Sequence, residues 1–173
     1  IMGVGGQLIQ WPPDFQEALI AKGFEIILVD NRDIGLSSKL NHLGTPNIWK
    51  LMWKQTFGLT MTVPYTLEDM AVDYIDLLDH LHIKHCHVLG ISMGSMIAQI
   101  LAAKYPERIS TVTLVHTGTG KSRHSIGIKP RAIRTLAARG DVKSEQEYAQ
   151  HFEQLFSVVG SPGLQRPSER LQE

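Results

Sequence analysis

Apolar residues in this chain fall into short unbroken runs, and the stretches between the runs carry apolar residues at helical spacing. Three runs, Phe24-Glu-Ile-Ile-Leu-Val29, Cys86-His-Val-Leu89 and Thr111-Val-Thr-Leu-Val-His116, have the length and β-branched content of strands buried in a parallel sheet. Ile1-Met2 reads as the end of a fourth. A helix over about Asp14 to Lys22 places Phe15, Ala18 and Leu19 on a buried face, with Pro12 and Pro13 suited to its start and Gly23 to its C-terminal cap. Strand, helix and strand within the first 30 residues predict a parallel βαβ unit. Thr66-Leu-Glu-Asp69 reads as a helix start, with Thr66 as N-cap, acids in the first turn and Tyr65 placed to pack on Met70. Leu67, Met70, Ala71, Tyr74, Leu78 and Leu81 then share one face. Ser95 to Tyr105, stopped by Pro106, predicts a further apolar helix.

The loops sit where such a sheet gathers function. Gly3, Gly5 and Gly6 form a glycine-rich turn after Met2, but Leu8 stands where a dinucleotide fingerprint needs its third glycine. Asp30 to Ser38 leaves the carboxyl end of the second run, with Gly35 expected at positive φ. Arg32 and Asp33 are expected to hold that loop locally, by an ion pair or backbone hydrogen bonds. Ile48, Trp49, Met52, Trp53 and Phe57 are expected to make a core or subdomain contact. From Lys121 the chain turns polar, with helices predicted at about residues 130–139 and 144–158. Lys121, Arg123, Lys129, Arg131 and Arg134 read as a solvated basic face.

Composition narrows the class. With 173 residues, 43% of them hydrophobic and 20% charged, the chain can bury a globular core. Zero net charge and a pI near 7.3 give nothing that steers it to nucleic acid. No apolar run approaches a membrane span and no signal-peptide pattern opens the chain, so a cytoplasmic location is expected. The single cysteine, Cys86, suits a reducing compartment and reads as a small buried hydrophobe. A homo-oligomer is left open. His80, His82, His85 and His87 around Cys86 invite a zinc reading, but on a strand Cys86 faces away from His85 and His87, so no metal site is expected.

The chemistry lies in Gly90-Ile-Ser-Met-Gly94, which fits the Gly-x-Ser-x-Gly nucleophile elbow between a strand and a helix. The tight reversal needs Gly90 and Gly94 without Cβ atoms, and Ser92 stands at the apex. The following helix turns its N-terminus, with Met93 N–H nearest, toward any oxyanion formed there.

With Ile1-Met-Gly-Val-Gly-Gly-Gln-Leu-Ile-Gln-Trp-Pro12, Val29-Asp-Asn-Arg-Asp-Ile-Gly-Leu-Ser37 and Leu89 to Gln99, the chain resembles an α/β-hydrolase, and within that fold the aclacinomycin methylesterase-like small-molecule esterases. The resemblance implies an α/β fold with a mainly parallel sheet flanked by helices, residues 1–120 forming a partial core and 121–173 a helical cap. It implies Ser92 as nucleophile, Val4 and Met93 backbone N–H groups as the oxyanion hole, a small-molecule ester as substrate, and no cofactor. The family usually carries His where Met2 stands, and uses an acid and then a His after the nucleophile. Of the later histidines, His116 comes too early in that order, and His124 and His151 fall in the cap segment. The acid and base are therefore expected beyond the given residues, in a coding sequence longer at both ends. Serine at the apex argues against dehalogenase or epoxide hydrolase chemistry. Thioesterase, acyltransferase, peptidase and perhydrolase activities, and a non-catalytic binding protein, stay open.

Overall fold

The computed structural model describes residues 1–44, 63–118 and 157–158. The chain divides into two units, Ile1–Ser122 and Arg123–Glu173, and the elements below belong to the first. Thr66 starts the longest helix among the described residues by a reciprocal arrangement: its hydroxyl accepts from Asp69 N, while the Asp69 carboxylate accepts from Thr66 N at 2.7 Å. Two otherwise orphaned donors are satisfied at once. The helix α2 runs Leu67–His80 and is closed by His82 in the left-handed region, φ 58°. The shorter helix α1 covers Pro13–Ile20, and Gly23 at φ 86° ends it, with Gly23 N–H bonded to Ile20 O.

Strand β1 (Cys86–Ile91), helix α3 (Met93–Lys104) and strand β2 (Ile109–Val115) form one βαβ unit. The strands pair in parallel, from His87 opposite Thr111 to Ile91 opposite Val115. A parallel pair cannot be joined by a tight turn, and α3 is the crossover. It packs on both strands and on α2. The core is built where these meet: Met70, Ala71, Ile75 and Leu78 of α2, Val88 of β1, and Ile97, Ala98 and Leu101 of α3. Ile97 and Leu101 are shut from solvent, worth roughly 1.5–3 kcal/mol each relative to exposure. Among the described residues, no helix is long and apolar enough to cross a membrane.

Several sequence expectations need correction. Phe24 to Val29 joins no ladder among the described residues, and it is half-buried to exposed instead of buried on both faces. Helix α1 buries none of its residues: Phe15 and Ala18 are exposed and Leu19 is half-buried. Phe15, Leu19 and Ile26–Val29 border, together with Cys86–Leu89, a cavity of about 530 Å3. Phe15 finds its partner in the buried Trp11 ring, stacked at 5.8 Å. Strand β2 is also mostly exposed, with Leu114 and Val115 open to solvent, because among the described residues it pairs on one edge only. On α2, Ile75 joins the core and Leu81 lies exposed past the helix end. Arg32 does not pair within its loop; it reaches Asp73 on α2. The aromatic residues between 48 and 57, the basic cluster from Lys121 to Arg134 and the helices expected at 130–139 and 144–158 lie outside the described residues, apart from a helical Ser157 and Val158.

Candidate active site

Ser92 stands at the junction of β1 and α3 with φ 55° and ψ −118°. Few non-glycine residues adopt positive φ, and they persist only where surroundings hold them. Here the Ser92 N–H donates to Val115 O at 2.9 Å, tying the apex to the neighbouring strand, and Ser92 O accepts the first helical N–H groups, from Ser95 and Met96. A Cβ on Gly90 would overlap the Gly94 carbonyl and Ser95 N, and one on Gly94 would overlap the Ile1 carbonyl. Met93 is the first residue of α3, so its N–H has no acceptor within the helix and the positive end of the dipole lies beside Ser92.

Beneath the apex, Ser95 is fully buried. Its hydroxyl donates to Gly90 O, accepts from Val115 N at 3.1 Å and lies 3.0 Å from Val115 O. It latches the start of α3 to the ends of both strands. In the sequence Ser95 stands out only as a helix start; the signal for its role is its place three residues after Ser92, in the first turn of α3.

The glycine loop reaches the same spot. Ile1 O accepts from Ile91 N at 3.0 Å, which brings Gly3 against Ser92: a Cβ there would lie 3.2 Å from Ser92 Cβ and 3.7 Å from its Oγ. Val4 follows in a turn closed by Gly6 N–H to Gly3 O at 3.1 Å, with Gly5 at φ 65°. The turn is held from outside by two adjacent buried residues. Asn31 Nδ2 donates to Met2 O at 3.1 Å, and Asp30 Oδ1 accepts from Leu8 N at 2.7 Å. Asp30 Oδ2 also accepts from Leu36 N at 3.0 Å, which Gly35 permits, because a side chain at its φ of 50° would run into that carboxylate. Tyr74 of α2 completes the set, its hydroxyl donating to Asn31 Oδ1 at 2.7 Å. Burial, and then the charges of Asp73 and Asp30, push its phenol far above the ordinary range, so it stays a donor. Tyr74 was legible only as part of an apolar face.

Arg32 grips Asp73 through Nε and Nη2 at 2.7 and 2.6 Å, and Nη2 also reaches Asp69 O. Asp33 accepts from Leu40 N and Tyr65 OH, which hold its carboxyl below the usual range. The histidines are elsewhere: His87 Nδ1 meets Thr111 Oγ1, His116 lies exposed after β2 at φ 54°, and His124 and His151 fall outside the described residues. Among the described residues, no three His, Cys, Asp or Glu side chains gather as metal ligands.

Comparison with known proteins identifies the scaffold. The model of the alpha/beta hydrolase fold matches residues 2–158. The chain belongs to the α/β-hydrolase fold family. Among curated relatives, rhodomycin D methylesterase DnrP of Streptomyces peucetius is 34% identical over 116 residues, covering 66% of this chain and 33% of that one. Among solved structures, Est816, described as an N-acyl homoserine lactone degrading enzyme, superposes with TM-score 0.63 at 22% identity, over 99% of this chain and 54% of that one. A hydrolase from Pseudomonas aeruginosa PA01 gives TM-score 0.56 at 24% identity, with 99% and 54% covered. At those identities the solved structures speak for the fold alone. The chain spans about a third of the length of the methylesterase and about half that of the solved hydrolases.

Proposed function

We propose that this α/β-hydrolase chain carries the nucleophile and oxyanion hole of a serine esterase acting on a carboxylic ester of a small molecule. Ser92 Oγ attacks the ester carbonyl as its proton passes to a base, the N–H groups of Met93 and Val4 hold the oxyanion, and the alcohol leaves with a proton. Water then hydrolyses the acyl-enzyme and returns Ser92. The base and its acid partner are assigned to no described residue.

The observation that carries the reading is the strained Ser92 backbone, φ 55° and ψ −118°, at a strand-to-helix junction with Gly3 packed against it. A serine that merely capped the helix would bond its hydroxyl to the first turn, and Ser92 makes no such side-chain cap bond. The methylesterase among the relatives supports the substrate class. The test is turnover of a p-nitrophenyl ester by the full-length protein, with fluorophosphonate labelling of Ser92. Ser92→Ala should abolish labelling and lower kcat by on the order of a millionfold. Turnover surviving that change would overturn the mechanism and favour a binding role.

A further inference from the structure

We infer that Asn31 and Asp30 are positioning residues for the oxyanion loop, and that the Tyr74 hydroxyl holds the Asn31 amide against it; this rests on the esterase reading above. A turn containing Gly3, Gly5 and Gly6 has little conformational preference of its own, and its internal backbone closure is the bond from Gly6 N–H to Gly3 O. Placing an oxyanion donor to within a fraction of an ångström needs supports that are themselves held by burial and hydrogen bonds. The two found here come from consecutive residues and grip the loop at opposite ends, Met2 O by Asn31 and Leu8 N by Asp30. Both side chains are buried, at 3% and 7% exposure, where an unmet polar group is costly. Gly3 touches Ser92, so any drift of the loop changes the distance between Val4 N–H and the reacting carbonyl.

In shape alone the Asn31 amide could face either way. Met2 O can only accept, so the NH2 group faces it, and Tyr74 OH donates to Oδ1 and holds the side chain there. With the amide reversed, Oδ1 would face the Met2 carbonyl, acceptor against acceptor, and no turn of the Tyr74 hydroxyl would relieve that. Helix α2, through a residue of its core-facing side, thereby fixes a loop 72 positions earlier in the chain, counting from Met2 to Tyr74.

The experiment compares Asn31→Asp and Tyr74→Phe in the full-length protein. The first keeps shape and the acceptor for Tyr74 but removes the donor to Met2 O; the second removes only the Tyr74 bond that holds the amide and is the milder change should Asn31→Asp fail to fold. Both should speed amide exchange across Gly3–Leu8 by about tenfold, the weight of one hydrogen bond, while Val88 and Leu89 keep wild-type protection. Both should lower kcat on a p-nitrophenyl ester by roughly 10- to 100-fold with KM within about twofold, the mark of an interaction used in the transition state. Unchanged exchange across Gly3–Leu8 would overturn the brace. Faster exchange with unchanged kcat would overturn the positioning role and leave a structural bond. A wild-type protein that fluorophosphonate does not label at Ser92 would remove the esterase reading, and the catalytic half of this inference with it.

Discussion

Gly94 and Gly23 show how the same atom costs different things at two places. Gly94 is a helical residue, where alanine normally gains about 1 kcal/mol over glycine, but its Cβ would overlap the Ile1 carbonyl that pairs with β1. Gly94→Ala should therefore destabilise the protein by roughly 1–3 kcal/mol and lower turnover of the proposed esterase, because the shift needed to relieve it passes into the loop proposed to hold the oxyanion. Gly23 has open space around it but φ 86°; Gly23→Ala should cost about 1 kcal/mol from the backbone alone and leave turnover unchanged. Urea midpoints and kcat for the two variants separate crowding from strain. Cys86 gives a second test on the residue scale. Half-buried on β1, its thiol is pushed up by burial, with Arg108 pulling weakly the other way. Iodoacetamide should alkylate it more slowly than free cysteine at neutral pH, and the rate should still climb at pH values where a free thiol has levelled off. A rate equal to that of free cysteine would show the site to be open.

Elements announced themselves where local chemistry and burial agree. Helix α2 combines a capping box with apolar residues at helical spacing, and β1 and α3 are separated by glycines whose absent side chains the turn requires; both were legible from residues alone. The run from Phe24 to Val29 was not, because an apolar, β-branched segment specifies only that it should be extended and covered. Whether it enters a ladder depends on partners distant in sequence, and here it borders a cavity. The Thr66–Asp69 cap lends itself to measurement. Thr66→Ala should cost about 1 kcal/mol. The Asp69 carboxyl is held below its usual range by the Thr66 N–H and then the Thr66 hydroxyl, so its contribution is fully present above the unfolded value near 3.8 and fades as pH falls through the lower folded one. The difference in urea midpoint between wild type and Asp69→Asn should accordingly be larger at pH 7 than at pH 3. A difference that grew in acid would contradict the cap.

Across the whole first unit, the bonds that place the site join residues far apart in sequence, and this is why the sequence revealed the Ser92 motif more readily than its supports. A motif such as Gly90–Gly94 is local; the partnership of Arg32 with Asp73 spans 41 residues and follows no spacing rule. Its geometry is richer than a surface ion pair: a two-pronged grip on the carboxylate, a third bond to Asp69 O, and the guanidinium 5.0 Å from the Tyr65 ring centre. Tyr65 in turn donates to Asp33, so α2 is clipped to the loop that carries Asp30 and Asn31. Lysine would keep the charge but could not make the fork or lie flat on the ring. Arg32→Lys should thus cost about 1 kcal/mol, the upper end of the range for exposed pairs, with screening tempering the Coulomb part because the Asp73 side chain is 45% exposed. A double-mutant cycle of Arg32→Met with Asp73→Asn should return a coupling of roughly 0.5–1.5 kcal/mol that 1 M salt reduces but does not abolish, since salt screens charge and leaves the hydrogen-bond geometry in place. Coupling lost entirely in salt would reduce the clip to an ordinary surface ion pair, and would predict no change in exchange across Gly3–Leu8 when Arg32 is replaced.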